Sequence, residues 1–587
     1  MSKPADWDAD SFADVIDIDD DNDGYSDTGE TNMGTDPYDP LSEPSKQVHN
    51  LLLQTTFGPT EKEEAELLSL GVEGWIDAQL NAPSAYDEPY TDANPNHKTY
   101  FERFIEMARV LDPVYYGYND ATIAEYTKPR ASMYDTSVEV MTSGPAVFKT
   151  LWFETVLHAP DQLRQRVAYA LSQILVMGGT KQGAATYYDI LAKNAFTNYR
   201  DLLIDVSLSS SMCNALTYLG SRGDKETIQP DENYARELMQ LFTIGLHRMN
   251  MDGSPMYASG ELIPTYDGDD VEALARVFTG WGRMYEGGSC GAGYARTKTD
   301  LTRPICQIKN GAWHDNGDKE VTLSGQGTQV ITGGDATQEM IDVIDMLMAH
   351  PNMAPFISKH LIMRLVKSNP TPGYVGRVAA VFNDNGSGVK GDLKAVVRAI
   401  LLDTEAITID ATVAKKAKEP ILAYTQFLRA FDVNKTPLYY SGQLYRFKSD
   451  FQGNLGQGPL SSPTVFNYYD NAFVPVDDYF RNNDLVSPEI QIIDEQGITY
   501  MANKVYEIAY DFEKNSHTIA NGSRPKDRFE ISYDREYALV LAAVNNDINN
   551  FAFDEYQAKA VDAVMPYLDK KLTGGTLSQA QKDAIKA

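Results

Sequence analysis

The sequence lacks any uninterrupted apolar run long enough to span a membrane. None of its 587 residues lies in a stretch that approaches about eighteen apolar side chains. The opening residues, MSKPADWDAD, also lack the apolar core of a signal peptide. We therefore expect no membrane span, and a protein that either stays in the cytoplasm or has lost a signal peptide and gained a starting Met.

Basic residues are scarce compared with acidic ones. The chain holds 51 Lys and Arg against 83 Asp and Glu, a formal net charge of −32. This excess of negative charge argues against binding to nucleic acids or to anionic membranes. Residues 1–44 contain fourteen of the acidic side chains and a single base, Lys3, so the remaining chain is only moderately acidic.

Cysteine is also rare, with three residues in the whole chain. Cys290 and Cys306 flank a glycine-rich segment and could close one loop, which would stabilise it by roughly 3 kcal/mol. A reduced pair is equally compatible with the sequence. Cys213 lies among apolar residues and is expected to be a buried thiol.

No catalytic or nucleotide-binding motif stands in its usual context. The chain contains no H-E-x-x-H. The letters of G-x-S-x-G and G-x-G-x-x-G occur at 287–291 and 386–391, but neither stretch has the strand before it and the helix after it that these motifs require. The segment GNLGQGPLSSP (453–463) is glycine-rich, but no Lys and helix follow it as in a phosphate-binding loop. Neither a catalytic triad nor a nucleotide site can therefore be assigned.

The N-terminal acidic segment has the spacing of a calcium loop. Oxygen ligands recur at positions 1, 3, 5, 7, 9 and 12, and Gly24 stands at position 6, where the chain must turn sharply. Calcium takes six to eight such oxygens. The alternative is a disordered acidic tail. The predicted calcium ligands are Asp19, Asp21, Asp23, the backbone carbonyl of Tyr25, Asp27 and Glu30.

The residues after this loop, GTDPYDP (34–40), do not resemble the second helix of an EF-hand. Residues 15–40 are instead similar to a thrombospondin type 3-like calcium-binding repeat. This resemblance implies an extracellular, calcium-stiffened spacer and an exported protein whose signal peptide is absent here. Asp17, Asp36 and Asp39 could add ligands.

The body of the chain has mostly helical periodicity. We expect a mainly α fold: a large multi-helical domain over 45–510, a helical extension over 511–587, and the short calcium-loop segment over 1–44. A small β-hairpin insertion is predicted near 320–333, and a long structured loop over 439–488. Further helices are expected at 146–177 (broken at Pro160), 187–206, 231–247, 269–280, 337–349, 353–366, 374–384, 391–403, 415–431, 489–513 and 534–568.

Several collinear segments over about residues 47–510 resemble the bacterial family called domain of unknown function 1800. This resemblance implies an exported protein of Gram-negative bacteria, often encoded beside a sulfatase-like protein of family 1501, and no established activity. The segments include LLLQTTFGPTEKEEAELLSLGVEGWIDAQL (51–80), DQLRQRVAYALSQILVM (161–177), DENYARELMQLFTIGLHRMNMDG (231–253), WHDNGDK (313–319) and SPTVFNYYDNAFVP (462–475).

One candidate site lies in PDENYARELMQLFTIG. Glu232 and Arg236 are four residues apart, as are Asn233 and Glu237, so these side chains share neighbouring faces of one helix. They could bind a metal or act as an acid/base pair on a sugar, with Arg236 binding an anionic group and Asn233 the substrate. The alternative is an ion-pair lattice between helices.

A second candidate is His314, which adjoins an Asn-Gly turn and could join Glu232 and Glu237 as a base or metal ligand. Trp281 and Tyr468 are candidates to stack on a sugar ring, although aromatic side chains also pack loops onto helices. Three further histidines are interpreted as structural: His158, His350 and His360.

Two function classes follow. The first is an exported, calcium-binding, non-catalytic surface or scaffold protein that works with a partner at the cell envelope, and we favour it because no decisive catalytic motif is present. The second is a secreted hydrolase or other enzyme acting on an extracellular polysaccharide through Glu232, Glu237 and His314. Whether the core also holds a transition metal is left open.

Overall fold

The computed structural model describes residues 27–33, 45–86, 99–103, 140–178, 183–225, 227–285, 289–292, 304–408, 416–431, 439–440, 443–444, 455–510, 534–544 and 553–586. This part is mainly helical with small sheets, as predicted. Its α-helices are α1 (Asp27–Met33), α2 (Ser45–Thr55), α3 (Glu61–Leu80), α4 (Val140–His158), α5 (Gln162–Ser172), α6 (Ala184–Lys193), α7 (Tyr199–Ser207), α8 (Ser210–Ala215), α9 (Asn233–Gln240), α10 (Gly268–Val277), α11 (Ala336–Ala349), α12 (Met353–Leu365), α13 (Pro372–Asn383), α14 (Leu393–Leu401), α15 (Thr404–Ile407), α16 (Pro420–Ala430), α17 (Asp478–Asn482), α18 (Glu495–Tyr510), α19 (Asp534–Ala543), α20 (Phe553–Thr573) and α21 (Gln579–Lys586).

The strands are short and form small antiparallel sheets: β1–β2, β4–β3–β5, β6–β7 and β8–β9. A disulfide between Cys290 and Cys306 joins β4 to β5, and Cys213 is a buried free thiol. The strands are β1 (Tyr257–Ala258), β2 (Glu261–Leu262), β3 (Trp281–Met284), β4 (Cys290–Gly291), β5 (Cys306–Gln307), β6 (Lys319–Leu323), β7 (Gly327–Ile331), β8 (Tyr439–Tyr440) and β9 (Gln443–Leu444).

The predicted hairpin is confirmed. β6 pairs antiparallel with β7, with Val321 opposite Gln329. Buried and exposed side chains alternate along β6, because successive residues of a strand point to opposite faces. Its buried face packs against α10 and carries Lys319 into the interior.

Local signals also place several helix ends correctly. Thr60 caps α3 by accepting a hydrogen bond from the backbone N–H of Glu63, and its hydroxyl donates to the Glu63 carboxylate. The helix α4 ends at His158, before Pro160. These ends depend on short-range hydrogen bonds and proline geometry, which sequence patterns capture well.

Some helices are shorter than predicted. The helix expected over 187–206 is divided into α6 and α7, because the backbone of Asn198 is extended and its side chain caps α7 by accepting a hydrogen bond from the Arg200 N–H. The helix expected over 231–247 ends at Gln240. Gly245 then adopts a positive φ of 73°, and a Cβ there would lie 2.6 Å from the Phe356 ring. The chain therefore turns at a place where only glycine fits closely against α12.

One continuous hydrophobic core joins the helices from α1 to α16. Trp152 is fully buried in this core. The centre of its ring lies 5.3 Å from that of Phe57, which it meets edge-on, and 5.6 Å from that of Tyr169. The helix α12 is buried along much of its length and packs on α5 and α13. These contacts hold α5 and α12 side by side beneath the site described below.

Both chain ends contact this body. The helix α1 packs on α3, where the Asn32 amide donates to the carbonyls of Leu68 (2.9 Å) and Ser69 (3.0 Å). Near the C-terminus, the carbonyl of Leu572 in α20 accepts from Gln426 of α16 at 2.8 Å. Among the residues described, no helix has the length and apolarity to cross a bilayer.

Most of the predicted calcium ligands lie outside the described residues: Asp19, Asp21, Asp23 and Tyr25, together with the additional candidates Asp17, Asp36 and Asp39. Asp27 and Glu30 belong to α1, so positions 9 and 12 of the loop fall on the first turn of a helix.

Candidate functional site

The N-terminal end of α9 carries the first predicted site. Glu232 and Arg236 form an ion pair of 2.8 Å on the surface, with about half of each side chain exposed. The Asn233 amide donates to the Thr217 hydroxyl at 2.8 Å. These polar groups therefore contact one another and Thr217, which precedes the helix in the chain. An exposed ion pair such as Glu232–Arg236 contributes little to stability.

Glu237 lies one turn further along α9 and is 8% exposed. Its Oε2 has no hydrogen-bond partner among the described residues. Burial raises the pKa of this carboxyl, although the nearby Arg236 lowers it in part.

His314 lies in a different environment. Its Nε2 is 3.0 Å from a Glu339 carboxylate oxygen, and its Nδ1 is 3.1 Å from the Thr279 carbonyl. Lys319 pairs with the same carboxylate, and all three ionisable side chains are almost fully buried. His314 makes no hydrogen bond to Glu232 or Glu237, so the structure does not bring these predicted partners into contact.

The two aromatic candidates, Trp281 and Tyr468, lie in different environments. Trp281 of β3 is 1% exposed and belongs to the core, which leaves no ring face for a ligand. Tyr468 lines a large pocket. Its hydroxyl donates to the Gly458 carbonyl and accepts from the Ser461 N–H, so it holds its own loop in place.

The pocket lined by Tyr468 has a volume of about 650 Å³. We call it the loop–helix pocket, because its walls come from α12, the ends of α5 and α9, and the loop 463–471. Its size is within the range of small-molecule sites. The long loop expected from the composition of 439–488 therefore forms one wall of a cavity.

The helix α12 contributes a stripe of three side chains to this pocket: Phe356, His360 and Arg364. They stand at i, i+4 and i+8, so they lie on one face of the helix. Arg364 donates to the Asn471 side chain at 2.6 Å and lies 4.8 Å from the centre of the Tyr469 ring. The arginine thus connects the helix to the loop.

Asn467 occupies the turn of the loop with a positive φ of 71°. This conformation is uncommon for residues other than glycine, and Asn tolerates it better than most. The side chain is 5% exposed, and neither its nitrogen nor its oxygen has a partner among the described residues. A buried amide without partners costs free energy, so its presence in a pocket points to a ligand.

Two other buried groups in the pocket wall are also incompletely paired. The side-chain amide oxygen of Gln173 (Oε1) and the Nε of Arg364 have no hydrogen-bond partner in the described structure. Together with Asn467, they offer both donors and an acceptor around one cavity.

His360 is held as a neutral base. Its Nδ1 is 2.8 Å from the Phe356 carbonyl, and this atom must be the donor because a carbonyl can only accept. Burial lowers the pKa of His360 to about 4, although the backbone hydrogen bond partly raises it. At neutral pH its Nε2 is therefore an acceptor, and no described residue donates to it.

A buried ionic network lies behind the pocket. Glu419 is fully buried and accepts hydrogen bonds from Gln173 (2.6 Å), Gln457 (2.5 Å) and Tyr169 (3.1 Å). Burial alone would raise the pKa of Glu419, but the positive charges of Lys416, Arg166 and Arg364 outweigh burial and lower it to about 2. This carboxylate therefore stays ionised and fixes Gln173.

Sequence reasoning missed most of this site. It interpreted His360 as structural and did not single out Arg364, Asn467 or Gln173. One signal was present: a histidine and an arginine follow Phe356 at four-residue intervals in an otherwise apolar helix. Over the described ranges, no group of three or more His, Cys, Asp or Glu side chains is arranged to hold a metal ion.

Neither the curated proteins nor the solved structures contain a match to this chain. A family model does match, over residues 50–587, and its description is "protein of unknown function (DUF1800)". The match covers more than nine-tenths of the sequence and includes every wall of the loop–helix pocket. The chain therefore belongs to the DUF1800 family.

Proposed function

We propose that this protein is an exported, non-catalytic binding protein that holds a hydroxyl-rich ligand, a unit of an extracellular glycan, in the loop–helix pocket. The observation that carries the proposal is the unpartnered Asn467 amide. One amide offers two donors and an acceptor, which is the set that sugar hydroxyls require. The aromatic side chains Phe356, Tyr468 and Tyr469 supply apolar faces beside it.

The scarcity of carboxyl groups in the pocket favours binding over hydrolysis. Most glycosidases place two carboxyl groups across the scissile bond. Among the lining residues only Asp470 carries a carboxyl group, and its side chain is exposed and accepts from the Ala472 N–H at 2.9 Å. Glu232 and Glu237 are not among the residues that line this pocket.

Replacing Asn467 by glycine tests the proposal. Glycine keeps the positive φ at no steric cost and removes only the amide, so the fold is preserved. We expect binding to a glycan array carrying neutral, uronic and sulfated oligosaccharides to weaken by about tenfold or more, the effect of losing one or two hydrogen bonds in a buried site.

A matched control is Asn310→Gly, which makes the same substitution at a positive φ of 55° on an exposed residue outside the pocket. This variant should bind as the wild type does. Failure of the wild-type protein to bind any immobilised glycan, or equal binding by the Asn467→Gly variant, would contradict the proposal.

We further propose that residues 15–40 form a thrombospondin type 3-like calcium spacer that presents the domain at the cell envelope, where the sulfatase-like family 1501 protein is the proposed partner. Supporting this, the last ligand positions of the motif, Asp27 and Glu30, fall in α1. Asn32 of the same helix is hydrogen-bonded to α3. Calcium bound there would thus be connected to the folded body rather than to a free tail.

Substitutions at two adjacent aspartates test calcium binding. Asp21 stands at ligand position 3 and Asp20 at position 2, which supplies no ligand. We expect titration calorimetry to give about one Ca²⁺ per chain, with affinity reduced by about tenfold or more in Asp21→Ala and nearly unchanged in Asp20→Ala. Equal losses in both variants would indicate diffuse attraction to an acidic tail.

A further inference from the structure

We infer that the ligand of the loop–helix pocket is a sugar that carries an anionic oxyacid group, a carboxylate or a sulfate ester, and that Arg364 binds this group. The inference rests on the proposed function and adds the chemical class of the ligand. Its basis is a buried guanidinium that lines the pocket and forms no direct ion pair with a described carboxylate, although Glu419 acts on it at longer range.

Arg364 is 3% exposed and lines the pocket. Its one described side-chain hydrogen bond goes to the neutral amide of Asn471, and its Nε has no partner. No carboxylate of the described residues lies within 4 Å of it. Buried charges in proteins are normally paired with an opposite charge, because removing an isolated ion from water costs several kcal/mol.

The acidic residues behind the pocket already have partners. Lys416 lies between Glu419 (3.5 Å) and Glu489 (3.0 Å) and forms an ion pair with each. Glu419 also accepts the three hydrogen bonds described above, and Glu489 accepts from the Ser368 hydroxyl at 3.1 Å. Both carboxylates therefore already have partners, and neither is among the residues that line the pocket.

A second guanidinium increases the positive charge. Arg166 is 2% exposed, donates to the backbone carbonyl of Arg364 at 3.1 Å, and leaves Nε and Nη1 without partners. Within the described part of this network, the cations Arg166, Arg364 and Lys416 outnumber the carboxylates Glu419 and Glu489. The exposed Asp470 at the rim is screened by water and does not cancel this excess. An anion in the pocket would complete the charge balance.

The neighbours of Arg364 fit an acidic sugar better than a simple anion. The Tyr469 ring packs against the guanidinium and fixes its orientation. Asn467 and Gln173 present unpaired amide atoms to hydroxyl groups, and His360 presents an acceptor nitrogen. Arginine binds carboxylates and sulfates through paired N–H donors, so Arg364 would anchor the charged end while the amides contact the ring.

The experiment is titration calorimetry of the full-length protein with three matched disaccharides: digalacturonate, a galactobiose 6-sulfate and neutral galactobiose. We expect the wild type to bind an acidic sugar about tenfold or more tightly than the neutral one. A preference for digalacturonate identifies a carboxylate, and a preference for the sulfated sugar identifies a sulfate ester. Equal affinity for all three overturns the inference but leaves the proposed function standing, whereas no binding of any sugar overturns both.

Two variants test the role of Arg364. Arg364→Gln should reduce affinity for the acidic sugar by about tenfold or more while affinity for galactobiose stays within about threefold. Asn471→Asp adds a negative charge beside Arg364 without changing the shape of the side chain, because the Asn471 oxygen already accepts from the guanidinium, and it covers the case in which Arg364→Gln does not fold. It should selectively weaken acidic sugars. If either folded variant retains the preference for acidic sugars, Arg364 is not their binding group.

Discussion

Replacing Lys319 by methionine is expected to lower the free energy of unfolding by about 3–5 kcal/mol, the usual cost of removing one partner of a buried ion pair. Lys319 is fully buried and donates to the Glu339 carboxylate and to the Asp315 carbonyl. Burial would raise the pKa of Glu339, but hydrogen bonds from His314 and Lys319 keep it below its usual value. Methionine fills the space and leaves the carboxylate without its cation.

Urea denaturation at pH 7 measures this loss. A suitable control is Asp345→Asn, which breaks an ion pair with Arg200 whose side chains are 47% and 37% exposed. That change should cost less than about 1 kcal/mol, because water screens an exposed pair. A Lys319→Met variant as stable as the control would show that the network of His314, Lys319 and Glu339 does not hold this region together.

Glu419→Gln is expected to lower the free energy of unfolding by about 3 kcal/mol or more. The substitution keeps the size of the side chain but removes the charge that faces Lys416, Arg166 and Arg364. It also places an amide NH₂ where donors from Gln173, Gln457 and Tyr169 now converge. Because Gln173 lines the pocket, glycan affinity should fall with stability.

The pH dependence of the unfolding free energy distinguishes the contribution of the Glu419 charge from that of its packing. The pKa of Glu419 is lowered to about 2 in the folded protein from an ordinary value of 4.5. A lowered carboxyl pKa contributes stability that is fully present above 4.5 and is lost as the pH falls toward 2. The difference in unfolding free energy between wild type and Glu419→Gln should therefore be largest at pH 7 and smaller at pH 3. A difference that does not change with pH would assign the effect to packing alone.

The predicted and observed sites differ for a physical reason. Glu232, Arg236 and Asn233 have regular helical spacing, and that spacing correctly placed them near one another at the start of α9. Whether such a group faces a cavity depends on what packs beside the helix, and here Glu232 and Arg236 face solvent. The pocket combines residues near 173, 240–246, 356–364 and 463–471, which are far apart in the chain.

The role of His360 shows the same limit. Its place in an apolar helix suggested a structural histidine, and its hydrogen bond to Phe356 is indeed of that kind. Only the packing of the loop 463–471 over α12 leaves its second ring nitrogen facing a cavity. Asn467 is similar: the letters FNYYD give no sign of a positive φ or of an amide without partners.

The sequence by itself determined the features that depend on neighbouring residues: the mainly helical fold, the hairpin of β6 and β7, the cap of α3 and the break at Pro160. These arise from periodicity and short-range hydrogen bonds, which act within a few residues. The tertiary structure alone decided that His314 is held by Glu339 and Lys319, and that Arg364 and Asn467 meet in one pocket. Those contacts join residues that are far apart in the chain. Their burial, and the cost of leaving a buried charge or amide without a partner, arise only once distant segments have packed together.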